Sequence, residues 1–135
     1  MKILIVEDHN EIALILQMLL AEEGYEVEIA GNGKEGYFAY LLFEPDLVIT
    51  DIQMPERTGI ELMQLIRLHN PQIRNIYMSG DLRYFLEALE KEKEIYHVCL
   101  LEKPFSRDEL LKSLAECSGS GEMASSNRVT ELSFN

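Results

Sequence analysis

Residues 46–51, DLVITD, form the stretch that decides the fold. Its apolar and β-branched residues favour extended backbone, and the run is short enough for a strand rather than a helix. Pro45 precedes the run and Asp51 ends it. We therefore predict a strand over 46–50, which brings the Asp51 carboxylate to the carboxyl end of that strand.

The same unit, a short apolar run followed by a helical pattern, recurs along the chain. Strands are predicted at residues 2–6, 26–30, 46–50, 73–78 and 97–101, and a helix is predicted after each of them. The fourth helix is expected from Leu82 to Lys93, and the fifth from Ser106. This alternation predicts βαβ units, so we expect a single α/β domain with a doubly wound, parallel five-stranded sheet and helices on both faces. At this size the flavodoxin-like strand order 2-1-3-4-5 is the common arrangement.

A chain of 135 residues has room for one domain. We assign residues 1–117 to that domain and residues 118–135 to a linker-like, mostly polar tail that opens with Ser-Gly-Ser-Gly. The tail is either flexible, or the stub of a link to something further, or a tethered segment whose Val129, Leu132 and Phe134 dock on the domain. A flexible tail or the stub of a link is favoured over a docked segment, because chain termini are usually poorly ordered.

Acidic residues outnumber basic residues by 24 to 12, which gives a net charge of −12. A surface this negative disfavours direct binding to nucleic acid and docking on anionic membranes. The charge either serves solubility or belongs in part to an acidic site that binds a metal ion.

Apolar stretches and cysteine spacing indicate where in the cell the protein is expected to be. No apolar stretch is long enough to cross a membrane, and the chain opens with a strand rather than a signal peptide. Cys99 and Cys117 are not in a CxxC spacing, and nothing in the sequence implies a disulfide. We therefore expect a cytoplasmic protein.

Polar side chains follow the ends of four predicted strands. Glu7 and Asp8 follow the first strand, Asp51 the third, Ser79 the fourth and Lys103 the fifth. In a doubly wound sheet, ligands bind outside the carboxyl ends of the strands. Each of these residues alone is commonplace as a helix cap, a turn or a surface charge, but their meeting at one edge predicts a functional site.

Three carboxylates at one edge require a cation among them. Two carboxylates about 4 Å apart repel by about 4 kcal/mol at an effective dielectric constant of about 20. Oxygen ligands without clustered His or Cys favour a hard ion, and Mg²⁺ leaves positions that phosphate oxygens complete. The Lys103 ammonium and the Ser79 hydroxyl can meet further phosphate oxygens. Asp51, at the end of the central strand, is the candidate nucleophile for a phosphoryl group.

Four segments resemble the receiver domain of two-component response regulators: ILIVEDH (3–9), LVITDIQMP (47–55), YMSG (77–80) and LEKPF (101–105). The resemblance covers residues 1–117. It implies that Asp51 accepts a phosphoryl group from a histidine kinase or a phosphotransfer protein. Ser79 would follow that phosphoryl group and Lys103 would pair with it.

The resemblance also implies a Mg²⁺ site. Asp8 and Asp51 would bind the ion directly, Glu7 would act through a water molecule, and Gln53 would offer its main-chain carbonyl. The implied activity is that of a phosphoacceptor switch, which is not an enzyme beyond its own phosphorylation and dephosphorylation. Its output would be a downstream protein or an output domain. A homodimer face would be formed by the fourth helix, the fifth strand and the fifth helix.

One position departs from the family pattern. The residue three before Lys103 is usually Tyr or Phe, whose ring turns inward on activation, and here it is Leu100. A scaffold that no longer signals by phosphate is therefore a competing interpretation, which the intact acids, serine and lysine oppose. A haloacid-dehalogenase-type phosphatase is a second, but it would need an acid at Gln53 to serve as acid and base.

Overall fold

The computed structural model describes residues 1–118, which contain one five-stranded sheet. The strands are β1 (Lys2–Val6), β2 (Glu26–Ala30), β3 (Leu47–Asp51), β4 (Arg74–Ser79) and β5 (Val98–Glu102). All neighbouring strands are parallel, and their order is β2-β1-β3-β4-β5. The predicted fold class and strand order are confirmed. Apart from Ser118, the predicted tail lies outside the described residues, together with the docking considered for Val129, Leu132 and Phe134.

Five helices follow the strands: α1 (Asn10–Glu22), α2 (Gly33–Phe43), α3 (Gly59–His69), α4 (Leu86–Ile95) and α5 (Arg107–Cys117). The third, fourth and fifth strands each end one residue later than predicted, because the ladder continues through the pairs Asp51–Met78 and Ser79–Glu102. The predicted fourth helix opens as a 3-10 turn over Leu82–Phe85. Three residues per turn set Leu82 and Phe85 on one side, where both pack against the core. Within residues 1–118, no helix has both the length and the apolar character that a membrane crossing requires.

The core lies in two layers, one on each face of the sheet. Ile3 and Ile5 of β1 pack in the layer that also holds Leu16 of α1 and Leu110 of α5. The alternate residues Leu4 and Val6 pack in the other layer, with Leu62 of α3 and Leu89 of α4. Because each buried aliphatic side chain contributes about 1.5–3 kcal/mol, the two layers fix the central strands firmly. The strand ends beyond them are therefore held in place.

Two helices that begin beside these strand ends are capped in the same way. Thr58 accepts from the amide of Glu61 and Ser106 accepts from the amide of Glu109, while each glutamate side chain accepts from the amide of its capping residue. Such capping boxes satisfy two backbone donors that would otherwise lack partners. The starts of α3 and α5, and with them the loops after Asp51 and Lys103, are thereby fixed.

A buried polar network joins α3, β4 and α4. The Arg67 guanidinium donates to Glu92 at 2.7 Å and to the side chain of Asn75 at 3.2 Å. The Tyr77 hydroxyl donates to the same Glu92 oxygen at 2.6 Å, and the Arg67 guanidinium carbon lies 4.3 Å from the centre of the Tyr96 ring. Burial and the negative charge of Glu92 raise the pKa of Tyr77, so its hydroxyl remains a donor. The network anchors the middle of α4 to the sheet.

We predict that Arg67→Met lowers the free energy of unfolding by about 3–5 kcal/mol, because it leaves the carboxylate of Glu92 buried without its cation. Arg107→Met is the matched control, since Arg107 pairs with Glu23 at the surface. Its cost should stay below about 1 kcal/mol. Urea unfolding followed by circular dichroism measures both, and equal losses in the two variants would show that the Arg67 network does not anchor α4.

Candidate functional site

The carboxyl edge of the sheet brings together the residues that the sequence places at strand ends. Glu7 and Asp8 follow β1, Asp51 and Ser79 are the last residues of β3 and β4, and Lys103 follows β5. Asp51 pairs with Met78, so Ser79 lies one residue further along its own strand. The amide of Lys103 donates to the main-chain oxygen of Ser79 at 2.9 Å, which continues the ladder to the lysine.

Lys103 connects two of the acids. Its ammonium lies 2.8 Å from one oxygen of Glu7 and 3.4 Å from one oxygen of Asp51. Burial alone would lower the pKa of Lys103, but its bonds to both carboxylates raise it, so the side chain stays charged. The peptide bond between Lys103 and Pro104 is cis.

Glu7 is fully buried and nevertheless ionised. Burial acts to raise the pKa of Glu7, but the hydrogen bonds from Lys103 and from the amide and ring of His9 outweigh it and lower the pKa. The His9 amide lies 3.2 Å and its Nδ1 atom 3.1 Å from the second carboxylate oxygen. Glu7 is thus a fixed negative charge in the wall of the site.

Asp51 is only 6% exposed. Burial raises its pKa, the charges of Glu7 and Asp8 raise it further, and Lys103 opposes them. The negative charge of this carboxylate is therefore incompletely compensated, and further positive charge beside it would be stabilising.

Asp8 has an oxygen that is left without a partner. Its Oδ1 atom is buried and makes no hydrogen bond to any part of residues 1–118, although the His9 ring nitrogen lies 3.5 Å away. Ligand atoms of Glu7, Asp8 and His9 all lie within 4.8 Å of one another. Carboxylate oxygens are the ligands that Mg²⁺ prefers, and the Asp8 oxygen makes no hydrogen bond within residues 1–118, so Glu7 and Asp8 fit that ion.

His9 belongs to the site, although its sequence pattern did not predict this. Its side chain is 68% exposed, and the hydrogen bond with Glu7 followed by the charge of Asp8 raises its pKa. The only signal was its place directly after the acid pair. Asp51 is not part of the cluster that His9 joins and is connected to it through Lys103.

The remaining predicted residues, Ser79, Gln53 and Leu100, differ in their exposure to solvent. The Ser79 hydroxyl is buried and accepts from the amide of Asp81 at 3.0 Å, which holds it in the turn after β4. Gln53 is exposed in the loop that follows Asp51. Leu100 is half-buried on β5, opposite Tyr77 of β4. The site edge therefore holds the Ser79 hydroxyl, while Leu100 lies two residues before the end of its strand.

Gly59 lets the start of α3 approach the backbone of Asp51. A Cβ atom at position 59 would lie 2.3 Å from the main-chain oxygen of Asp51, and the Gly59 amide donates to the oxygen of Ile52 at 2.8 Å. Only a residue without a side chain fits there, and this contact determines the path of the loop after the acceptor candidate.

The sequence matches the family described as response regulator receiver domain over residues 3–115. The chain is 33% identical to the transcriptional regulatory protein DltR of Streptococcus agalactiae over 113 residues, which are 82% of this chain and 49% of DltR. It is 32% identical to sporulation initiation phosphotransferase F of Bacillus subtilis, with 81% of this chain and 86% of that protein covered. The chain thus spans about half the length of DltR and most of the phosphotransferase.

Solved structures show the same likeness. The chemotaxis response regulator CheY4 of Vibrio cholerae superposes with a TM-score of 0.76 at 28% identity, covering 86% of this chain and 97% of that one. The response regulator TrrA of Thermotoga maritima, solved in complex with Mg²⁺ and BeF, gives a TM-score of 0.75 at 30% identity, with coverages of 86% and 97%.

We predict that Gly59→Ala lowers the free energy of unfolding by about 1–3 kcal/mol and displaces the loop after Asp51, since the new methyl group overlaps a main-chain oxygen. Gly80→Ala, in the loop after the neighbouring strand, is the control. No atom of residues 1–118 lies within 4 Å of a Cβ there, and its φ is not in the left-handed region. Urea unfolding and the amide NMR shifts of residues 50–53 measure the effect, and unchanged shifts in Gly59→Ala would contradict it.

Proposed function

Because this chain belongs to the response regulator receiver domain family, whose members act by phosphotransfer in two-component signalling, we propose that Asp51 is its phosphoryl acceptor. The observation that carries the proposal is the contact between the Asp51 carboxylate and the ammonium of Lys103, 3.4 Å apart at the carboxyl end of the central strands. Nearby positive charge stabilises the ionised, nucleophilic form of a carboxylate and can receive a phosphoryl group, and Lys103 supplies that charge beside Asp51.

The chemistry proposed for Asp51 is a direct displacement. One of its carboxylate oxygens attacks the phosphorus of a phosphohistidine, a P–O bond forms, and the P–N bond to the donor breaks. The product is an acyl phosphate. Lys103, already 2.8 Å from Glu7, stays charged throughout and pairs with an oxygen of the phosphoryl group.

We assign the metal site to the carboxylates of Asp8 and Asp51 and the main-chain carbonyl of Gln53, with Glu7 acting through a water molecule. The unpaired Asp8 oxygen supports this assignment, as does the negative charge at Asp51 that Lys103 only partly compensates. Bound Mg²⁺ would neutralise the phosphoryl oxygens during transfer. The residues of the chain itself shield the acids from bulk water and orient Asp51.

Ser79 is the proposed switch residue. Its hydroxyl is held by the Asp81 amide, and its main-chain oxygen is bonded to the amide of Lys103. A phosphoryl group on Asp51 offers this hydroxyl a stronger acceptor, so the turn after β4 would rearrange around it. The 3-10 turn over Leu82–Phe85 directly follows and would move with it.

The partners we propose follow from this chemistry. The donor is a histidine kinase or a phosphotransfer protein, and the output is a downstream protein or a domain of a longer regulator. Tyr84, Leu86 and Ile95, in and before α4, leave apolar surface exposed on the side where the family forms homodimers. That face is the proposed homodimer surface.

Acetyl phosphate with Mg²⁺ should add one phosphoryl group to the chain, and hydroxylamine should remove it, as expected of an acyl phosphate. Asp51→Asn should abolish the labelling. Asp46→Asn, just before the opposite end of the same strand, should keep it, because that carboxylate is exposed and, within residues 1–118, accepts from the amide of Lys2. Intact-mass spectrometry decides the matter, and stoichiometric labelling of Asp51→Asn would overturn the assignment.

Mg²⁺ should raise the melting temperature of the chain, by an amount equivalent to about 2.7 kcal/mol at a hundredfold excess over the dissociation constant. Asp8→Asn should lose most of this response while changing the metal-free stability little, because one Asp8 oxygen makes no hydrogen bond within residues 1–118 and its nearest cationic neighbour is the exposed ring of His9. Asp46→Asn again serves as the control. An undiminished response of Asp8→Asn to Mg²⁺, measured by thermal unfolding, would exclude Asp8 as a ligand.

Activation should alter the loop after Asp51, the Ser79–Gly80 turn and the start of α4 more than it alters β5. A ligand shifts an equilibrium only by its different affinities for the two states, and Leu100 has no hydroxyl or ring to exchange between pocket and surface. Amide NMR shifts with and without beryllofluoride test this. Changes centred on Leu100 and β5 would show that leucine still takes part in the switch.

A further inference from the structure

Cys99 and Cys117 lie side by side at the end of the sheet opposite the acidic site. Cys99 is the second residue of β5 and Cys117 is the last residue of α5. Both line a pocket of about 170 Å³, together with Tyr96, His97 and Glu116. Cys99 is half-buried and Cys117 is 5% exposed, so the pocket gives a small molecule access to both thiols.

Neighbouring contacts bring the two cysteines together. The Cys117 thiol donates to the main-chain oxygen of Asn75 at 3.2 Å, and the next residue of that strand, Ile76, is the register partner of Cys99. Cys99 also packs against the core cluster to which Cys117 belongs. These are the only cysteines in the sequence, so each has the other as its one intramolecular thiol partner.

We propose that Cys99 and Cys117 form a thiol oxidation site, at which a hydroperoxide converts the two thiols into an intramolecular disulfide. One thiolate attacks an oxygen of the hydroperoxide, the O–O bond breaks, and the released alkoxide takes up a proton to leave as an alcohol. The sulfenic acid that forms is attacked by the second sulfur, and its hydroxyl group leaves as water with the second thiol proton. Two electrons pass from the thiols to the O–O bond.

The two thiols differ in their surroundings. The Cys117 thiol is buried and bonded to the main-chain oxygen of Asn75, whereas Cys99 is half-buried at the pocket and is the more accessible of the two. Either sulfur can be oxidised first, and the other then closes the disulfide. In a reducing compartment such a bond would be transient, as disulfides of a redox-sensing kind are.

The disulfide would join the start of β5 to the end of α5. Those two elements, together with α4, belong to the homodimer face that the sequence resemblance implies. Lys103 follows the other end of β5, four residues from Cys99 along the strand and so about 13 Å away. Oxidation would therefore restrain the output side of the domain without entering the acidic site.

The test treats the reduced, full-length chain with hydrogen peroxide and maps tryptic peptides by mass spectrometry. The chain should lose two hydrogen atoms, and peptide 94–107, which holds Cys99, should appear linked to peptide 113–128, which holds Cys117. Dithiothreitol should reverse the link. Cys99→Ser and Cys117→Ser each leave one thiol and should form no intramolecular disulfide.

Two results would overturn the proposal. One is that both thiols stay free at a peroxide dose that already oxidises the methionines. The other is that they form disulfides only between chains or with added glutathione. Because Cys117 is buried, Cys117→Ala is prepared in parallel, and the peptide map of the unsubstituted chain decides the question even if neither Cys117 variant folds.

Discussion

The structure depends on one buried ionic contact, the ammonium of Lys103 between the carboxylates of Glu7 and Asp51. Glu7 is completely removed from water, and a buried carboxylate is tolerated only with a charged, hydrogen-bonded partner. That partner comes from the far end of the sheet, since β1 and β5 are separated by β3 and β4. The contact therefore requires all four strands to be in their places. Conversely, the sheet order is what lets Lys103 reach Glu7.

The same contact explains why Asp51 differs from Glu7. Both acids share the lysine, but at 2.8 Å Glu7 has the closer approach and also receives two bonds from His9. Its pKa is lowered, while that of Asp51, 3.4 Å from the lysine, is raised by burial. Lys103 and His9 hold Glu7 in its ionised form, whereas Lys103 compensates the negative charge of Asp51 only in part. This division of roles is what the proposed acceptor chemistry needs, and it arises from which strand end each acid occupies.

The amino-acid sequence was sufficient for the architecture and for the list of strand-end residues, because alternating apolar runs and helical patterns leave few topologies. It was insufficient for pairings between residues far apart in the chain. The bonds from Lys103 to Glu7 and from Arg67 to Glu92 depend on three-dimensional placement that no local pattern carries. The 3-10 turn at Leu82–Phe85 was missed for the same reason, since packing against the core selects it over a regular helical turn. Cys99 and Cys117 become neighbours only when the sheet has assembled, whereas His9 was missed although its partners Glu7 and Asp8 directly precede it.

The position of Leu100 is best understood through its neighbour Tyr77. The two residues face each other across β4 and β5, and the Tyr77 hydroxyl is bound to Glu92 of α4. Tyr77 and Ser79 lie on the same face of β4, because side chains two residues apart in a strand point the same way. This chain therefore has an aromatic ring beside the position where the family carries one, but the ring is fully buried and bonded to α4 instead of free to turn. The raised pKa keeps the phenol a donor at any ordinary pH. The strand that carries the proposed switch residue Ser79 is therefore bonded to α4 through Tyr77 and not through Leu100.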